Sequence, residues 1–344
     1  MEETRSAGVV AMNKDQKVLV TGGAGYIGSH IVLSCLDAGY GVVVIDRDEK
    51  ACKHLQKCLS RRKKLKVFNA DIENEIYLDG IFENENIGAI IHCAANISVP
   101  ESVDNPLKYY YNNTSKSIKL LERAKKFGVN RFILSSTAAV YGEPPAKVAA
   151  SIPETQPCRP INAYGESKLM FETILKKYSE SNSNFKYTSL RYFNVAGNDI
   201  QNRVQDINWR YKENVVPKIL SRLIQGKGDF TIFGKDYDTP AGTCVRDYLH
   251  PTDLANAHLI ALKQGVTGVY NLGTNKGNSV WDLVKEAVNI VDAELNVIKG
   301  NRRKGDPEIL VANATKFMKK TGWEASYSLN DIVRTAYKAY LKVQ

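Results

Sequence analysis

The sequence predicts an α/β protein: a doubly wound parallel sheet with a smaller mixed α/β C-terminal domain. Three observations predict it. Between Lys17 and about Arg191, short β-branched runs alternate with longer helical patterns. The runs are continuously apolar, as strands covered on both faces should be, and lack the alternation of a half-exposed antiparallel sheet. The first run leads directly into a glycine-rich turn and an amphipathic helix. Right-handed βαβ crossovers convert such an alternation into a parallel sheet with helices on both sides.

The elements follow in order. VLVTG (18–22) opens into Gly22-Gly23-Ala24-Gly25-Tyr26-Ile27-Gly28 and a helix that ends near Gly39. GVVVID (41–46), LKVFNADI (65–72), AIIHCAA (89–95), RFILSSTAAVYG (131–142) and YTSLRYF (187–193) are the next five strands. After Asn194 the alternation breaks: a polar stretch (198–214) precedes a helix around 214–226 and a loop rich in Gly, Asp and Thr, GKDYDTPAGT. A helix over 251–264, a strand over 268–273 and a capped helix opening at Ser279 come next. The last helix, from Ser328 to about Val343, places Ile332, Val333, Ala336, Tyr337 and Tyr340 at helical spacing. This divides the chain into a first domain, 17–193, to which 246–275 returns, and a second domain formed by 194–245 and 276–344.

Composition excludes several classes. With 344 residues, 43% hydrophobic and 24% charged, the chain can bury a sizeable core and has no bias toward disorder, collagen or coiled coil. No run approaches the roughly 18 apolar residues of a spanning helix, and the N-terminus lacks the apolar region of a secretion signal. A cytoplasmic location without a membrane partner is therefore expected. Cys35, Cys52, Cys58, Cys93, Cys158 and Cys244 form no C-x-x-C pair, so reduced thiols and no metal site are expected. The net charge of +10 is concentrated in Lys50, Lys53, Lys57, Arg61, Arg62, Lys63, Lys64 and Lys66, with no acidic residue between them. We read this as a solvated basic face; without interleaved aromatics it does not argue for a nucleic-acid partner.

Gly22, Gly25 and Gly28 stand three residues apart between strand and helix. Lacking Cβ atoms, they let the backbone turn tightly, approach a pyrophosphate and offer it helix N-terminal N–H groups, the physics of the Rossmann fingerprint. Asp46 ends the second strand about 20 residues on, where the adenosine ribose hydroxyls would lie. Its charge would repel a 2′-phosphate, which favours NAD over NADP, although Arg47 beside it could receive that phosphate. Tyr26 and Ile27 belong to the same turn. Asp71 and Ile72 are candidate adenine contacts; a strand-end Asp such as Asp71 equally suits a helix cap.

Tyr164-Gly165-Glu166-Ser167-Lys168 begins a helical pattern and puts Tyr164 and Lys168 on one face, about 6 Å apart. A phenol with a pKa of about 10 is a poor base at neutral pH, and a neighbouring ammonium favours its phenolate. One Y-x-x-x-K alone occurs by chance in many helices. Thr137 closes the Ser135-Ser136-Thr137 strand end about 27 residues earlier, where a hydroxyl can bond the substrate oxygen that Tyr164 deprotonates. Ser135 and Ser136 are read instead as satisfying backbone groups there.

TGGAGYIGSH, the Ser-Ser-Thr strand, Y-G-E-S-K and R-Y-F-N together resemble the extended short-chain dehydrogenase/reductase family, in its nucleotide-sugar 4-epimerase branch. The resemblance runs from about Lys17 to Trp323, and its most specific parts are ESVDNPLKYYYNN (101–113), FILSSTAAVYGEP (132–144), GTCVRDYLH (242–250), YNLGTNKGNSV (270–280) and RRKGDPE (302–308). It implies an NAD-dependent isomerase that interconverts UDP-galactose and UDP-glucose through a 4-keto sugar. Tyr164 would be the base, Lys168 would hold the nicotinamide ribose, Thr137 would touch the sugar, and Asn112 the cofactor. Asn194, Asn214, Val215, Arg246, Arg303 and Asp306 match positions that bind the UDP part. Leu310 matches a pocket position whose bulk limits a 2-N-acetyl group, which favours UDP-glucose and UDP-galactose over acetylated sugars. Helices such as 106–126 and 163–180 pair across a homodimer in the resembling family.

The chain departs from the family pattern at Ile97, where many members carry a lysine, and in the polar stretch after Val195-Ala196-Gly197, which lacks the usual His-Pro and Gly-Glu elements. A 4,6-dehydratase would need acid–base carboxylates directly after the Thr, where Ala138 and Ala139 stand. A non-catalytic NAD- or nucleic-acid-binding protein would not need Tyr164, Lys168 and Thr137 together.

Overall fold

The computed structural model describes residues 12–13, 15–204, 214–226, 228–234, 236–302 and 307–342. Six strands form in the predicted order: β1 (Lys17–Thr21), β2 (Gly41–Asp46), β3 (Leu65–Asn69), β4 (Ile87–His92), β5 (Arg131–Thr137) and β6 (Lys186–Tyr192). A later strand, Gly268–Leu272, pairs with β6 and completes a seven-stranded parallel sheet. From that edge the order is Gly268–Leu272, β6, β5, β4, β1, β2, β3. The chain thus moves outward from β1 through β2 to β3, then restarts at β4 on the other side of β1. Such a switch point opens a crevice at the carboxyl ends of the central strands.

Strand alternation sorts the core into two layers. Val18, Val20, Val42, Val44, Ile91 and Ile133 face one layer, which also contains apolar residues of α1 (Tyr26–Asp37), α2 (Glu49–Cys58) and helix Pro251–Gln264. Leu19, Val43, Ile45, Ile90, Phe132 and Leu134 face the other, with α3 (Glu75–Glu85) and helices Lys116–Lys126 and Ala163–Ser181. This is why the sequence runs read as continuously apolar.

Two strands end earlier than their apolar runs. β5 stops at Thr137 because its Oγ1 accepts the Ala139 N–H at 3.1 Å and starts a single 3₁₀ turn, Ala138–Tyr141. β3 stops at Asn69, and Asp71 turns the chain by accepting the Glu73 N–H at 3.0 Å.

Helices Val215–Gln225, Val280–Val291 and Leu329–Leu341 share a third core with the parallel strand pair Phe230–Phe233 and Val297–Gly300. Ser279 and Ser328 each close a capping box, with Asp282 and Asp331 respectively. Beside them, Val245–Arg246 lies between Asn278–Ser279 and Ile309–Leu310. All six cysteines are free thiols. Among the described residues, no cluster could hold a metal ion and no helix is long and apolar enough to cross a membrane. The basic segment finds its counter-charges partly on other elements: Lys66 meets Glu85 of α3 at 2.7 Å, and Arg62 meets Asp37 of α1.

Candidate active site

The β1–α1 turn is built by close backbone approach. Gly22 has φ +67°, and a Cβ there would lie 2.6 Å from the Ala94 nitrogen; at Gly28 it would lie 2.2 Å from the Gly22 carbonyl oxygen. Any larger residue would push the turn off the end of β4 or α1 off the turn. Gly25 is the N-cap of α1 and supplies no side chain to its first N–H groups, and the first turn of α1 holds no acidic residue. That leaves a positive helix terminus facing the crevice, suited to an anion.

Asp46, at the end of β2, accepts the Ala24 N–H at 3.1 Å and the Asp48 N–H at 3.0 Å, which fixes its carboxylate beside the glycine turn. Asp71 does not cap α3; Asn74 does, accepting the Tyr77 N–H at 3.0 Å. Asp71 instead pairs with the nearly buried Lys116 at 2.9 Å. Asp46, Asp48 and Asp71 line one cleft of about 1420 Å³ with Gly22, Gly25, Tyr26, Ile27, Gly28, Ile72, Asn112, Asn214 and Tyr164. A second cavity, about 1050 Å³, shares Tyr26, Phe193, Val195 and Asn214 with it and is also lined by Asn194 and Val215.

Tyr164 and Lys168 occupy the first turns of helix Ala163–Ser181, whose N-cap Asn162 accepts the Gly165 N–H at 2.9 Å. Tyr164 is in the cleft wall, while Lys168 is buried behind it and donates to the Ser135 carbonyl at 2.9 Å. Burial brings the Lys168 ammonium down to about 8, against opposing pulls from Cys93 and Glu172. Thr137 is 8% exposed at the end of β5. Ser135 and Ser136 differ from the sequence reading, because their hydroxyls meet side chains: Ser135 lies 3.0 Å from His258 Nε2 and 3.2 Å from Cys93 Sγ, and Ser136 donates to Glu172 at 2.5 Å. Helices Pro251–Gln264 and Ala163–Ser181 pack against β5 and bring His258 and Glu172 within reach, while Cys93 directly follows β4.

Arg246 and Leu310 are register partners on adjacent strands and line neither cavity. The Arg246 guanidinium donates to the carbonyls of Val245 at 2.8 Å and Glu308 at 3.3 Å. The neighbouring Asp247 carboxylate accepts from Thr274, Asn275 and Ala312. Arg303 and Asp306 lie outside the described residues.

The sequence reading missed Asn96 and Asn113. Asn113 sits in a π-helical turn, Tyr110–Ser115, that breaks the 3.6-residue period and aims it inward. It accepts the Asn96 N–H at 2.8 Å, donates to the Asn96 carbonyl at 3.0 Å and to Ser167 Oγ at 3.1 Å, tying the loop after β4 to the Tyr164 helix. The Asn112-Asn113 pair was its only sequence signal. Phe193, which lines both cavities, lay unremarked inside the sixth apolar run.

Known proteins resemble this chain in sequence and in fold. The chain is 40% identical over 327 residues to the UDP-glucose 4-epimerase of Lactobacillus helveticus, covering 94% of this chain and 96% of that protein. A UDP-glucose 4-epimerase from Stenotrophomonas maltophila, solved with bound NAD and formylated UDP-arabinopyranose, superposes with a TM-score of 0.89 at 31% identity, covering 95% of this chain and 98% of that one. The Bifidobacterium longum UDP-glucose 4-epimerase, solved with NAD+ and UDP, gives a TM-score of 0.84 at 32% identity, with 95% and 98% covered. The model of the NAD dependent epimerase/dehydratase family matches residues 18–273, from β1 through the last strand of the large sheet. With three quarters of its length and its glycine turn inside that match, the chain belongs to the NAD dependent epimerase/dehydratase family.

Proposed function

We propose that this chain is an NAD-dependent UDP-glucose 4-epimerase, interconverting UDP-galactose and UDP-glucose. The observation that carries the reading is one cleft with the glycine turn and Asp46 in its walls together with Tyr164. The residues fit the cofactor: Gly22 and Gly28 allow the close backbone packing that sets the uncapped N-terminus of α1 in the cleft, where its N–H groups suit an anion, and Asp46 suits ribose hydroxyls. Gly22, Gly25, Tyr26, Ile27, Gly28, Asp46, Asp71, Ile72, Asn112 and Lys168 would hold it. When bound, NAD would supply the hydride acceptor and donor for C4 of the sugar.

Tyr164 removes the proton of the sugar 4′-hydroxyl and later gives it back, with Thr137 bonding the same oxygen. The sugar passes through a 4-keto state and turns about its linkage to the diphosphate. Asn194, Asn214 and Val215, in the walls of the adjoining cavity, would hold the UDP part; Arg246, Arg303, Asp306 and Leu310 are assigned to the nucleotide-sugar on the family resemblance alone. A firmly held UDP part with a loosely held hexose supplies binding energy without hindering that turn. In this reading 17–193 with 246–275 is the cofactor domain, and 194–245 with 276–344 is the substrate domain. Two copies pair through the helices over 106–126 and 163–180, where Leu107, Tyr111 and Met170 are exposed.

Incubation with UDP-galactose and no added cofactor, followed by proton NMR of the anomeric signals, is expected to show conversion toward a mixture dominated by UDP-glucose. Silence even with added NAD would overturn the assignment.

Lys168→Met tests the second member of the pair. The positive charge favours the phenolate, so without it Tyr164 holds its proton to higher pH. The acid limb of the kcat/KM profile is expected to move up by about 1–3 pH units, so the loss is greater at neutral than at alkaline pH. A wild-type to variant ratio constant between about pH 6 and about pH 9 would exclude this role for Lys168.

A further inference from the structure

Arg47 follows Asp46 at the end of β2 and does not fold back over its own strand. Its guanidinium donates to Asn112 Oδ1 at 2.9 Å and to Asn96 Oδ1 at 2.7 Å, and lies 3.9 Å from Asp71. Asn96 lies just beyond β4, and in the sheet β4 and β2 flank β1 on opposite sides. An arm rooted at β2 and anchored beyond β4 must therefore cross the crevice above the end of β1, where the glycine turn begins.

The charges of the cleft give that crossing a purpose. Among the described residues that line it, Asp46, Asp48 and Asp71 are acidic and Arg47 is the single cation. A dinucleotide brings two more negative charges in its diphosphate. Helix-terminal N–H groups offset part of that charge, and Ile97, half exposed in the same wall, adds none. A planar guanidinium with parallel N–H donors is the side chain best shaped for phosphate oxygens, and with its side chain 52% exposed it has room to move.

We propose that Arg47 is a retaining strap for the cofactor: it closes over the glycine turn, supplies the diphosphate with its side-chain cation, and sets how tightly NAD is held. This rests on the reading of the cleft as an NAD site. A 2′-phosphate would lie by Asp46 on the β2 side, whereas the guanidinium is carried away from there toward Asn96 and Asn112. Arg47 is thus a diphosphate contact and confers no preference for NADP.

The test is titration of the cofactor-stripped full chain with NADH and NADPH by fluorescence, together with UDP titration by calorimetry as a folding control. Arg47→Ala is expected to weaken NADH binding at least tenfold, to flatten its salt dependence and to leave UDP affinity unchanged. Arg47→Lys keeps the charge without the fork and should fall between. If Arg47→Ala binds NADH within twofold of wild type, or weakens NADPH alone, the strap is wrong. Should the wild type bind UDP but neither dinucleotide, the cofactor reading fails and the strap with it.

Discussion

Tyr164→Phe is expected to lower kcat by about 10²–10⁴-fold, the range of a positioned general base. The phenyl ring keeps the packing of a residue only 9% exposed, so NADH and UDP affinities should stay near wild type. The measurement is steady-state turnover of UDP-galactose alongside fluorescence titration of NADH. The two readouts separate chemistry from binding: an interaction made only in the transition state lowers kcat and kcat/KM together. Activity within a few-fold of wild type would assign the proton transfer to another group. The prediction is sharp because Asn162 and Lys168 fix the helix that carries Tyr164 independently of the lost hydroxyl.

Glu172→Ala is expected to cost about 3–5 kcal/mol of stability, the typical loss when one partner of a buried ion pair is removed. Arg191, 5% exposed on β6, donates from Nε and Nη2 to the Glu172 carboxylate at 2.5–3.1 Å, and its Nη1 donates to the Tyr141 hydroxyl at 3.0 Å. Tyr141 in turn donates to Asn271 at 2.7 Å, and Ser136 donates to Glu172. The network ties β5, β6, the seventh strand and helix Ala163–Ser181 together behind Tyr164 and Lys168. Without Glu172 the guanidinium is buried with no carboxylate beside it. Denaturant unfolding should show the loss, and replacing Glu172 and Arg191 together by Leu and Met should recover most of it, since no charge then needs a partner. A loss below about 1 kcal/mol would mean that water reaches Arg191.

Most of this fold could be read from the chain. The apolar runs, the glycine turn and the capping serines encode strands, turn and helix starts within a few residues, because each depends on local physics. Thr137 ended β5 before its apolar run did, and Asp71 left the cap of α3 to Asn74, since in both places a specific hydrogen bond outweighed the pattern. Tyr164 and Lys168 were legible because helix spacing fixes their relation. Asn113 was not: a π-turn shifts the helical phase, and the Asn112-Asn113 pair alone does not say which of the two turns inward.

By itself, the sequence determined the alternating strands and helices, the glycine-rich turn with Asp46 after it, and a tyrosine and lysine on one helix face. These are short-range facts, settled by side-chain period, backbone sterics and spacing. The tertiary structure alone decided which side chains meet across elements. It set Arg47 against Asn96 and Asn112, Ser136 against Glu172, and Lys116 against Asp71. Those partners lie 36 to 65 residues apart, and only the strand order, with β4 returning to the far side of β1, brings them within hydrogen-bond reach.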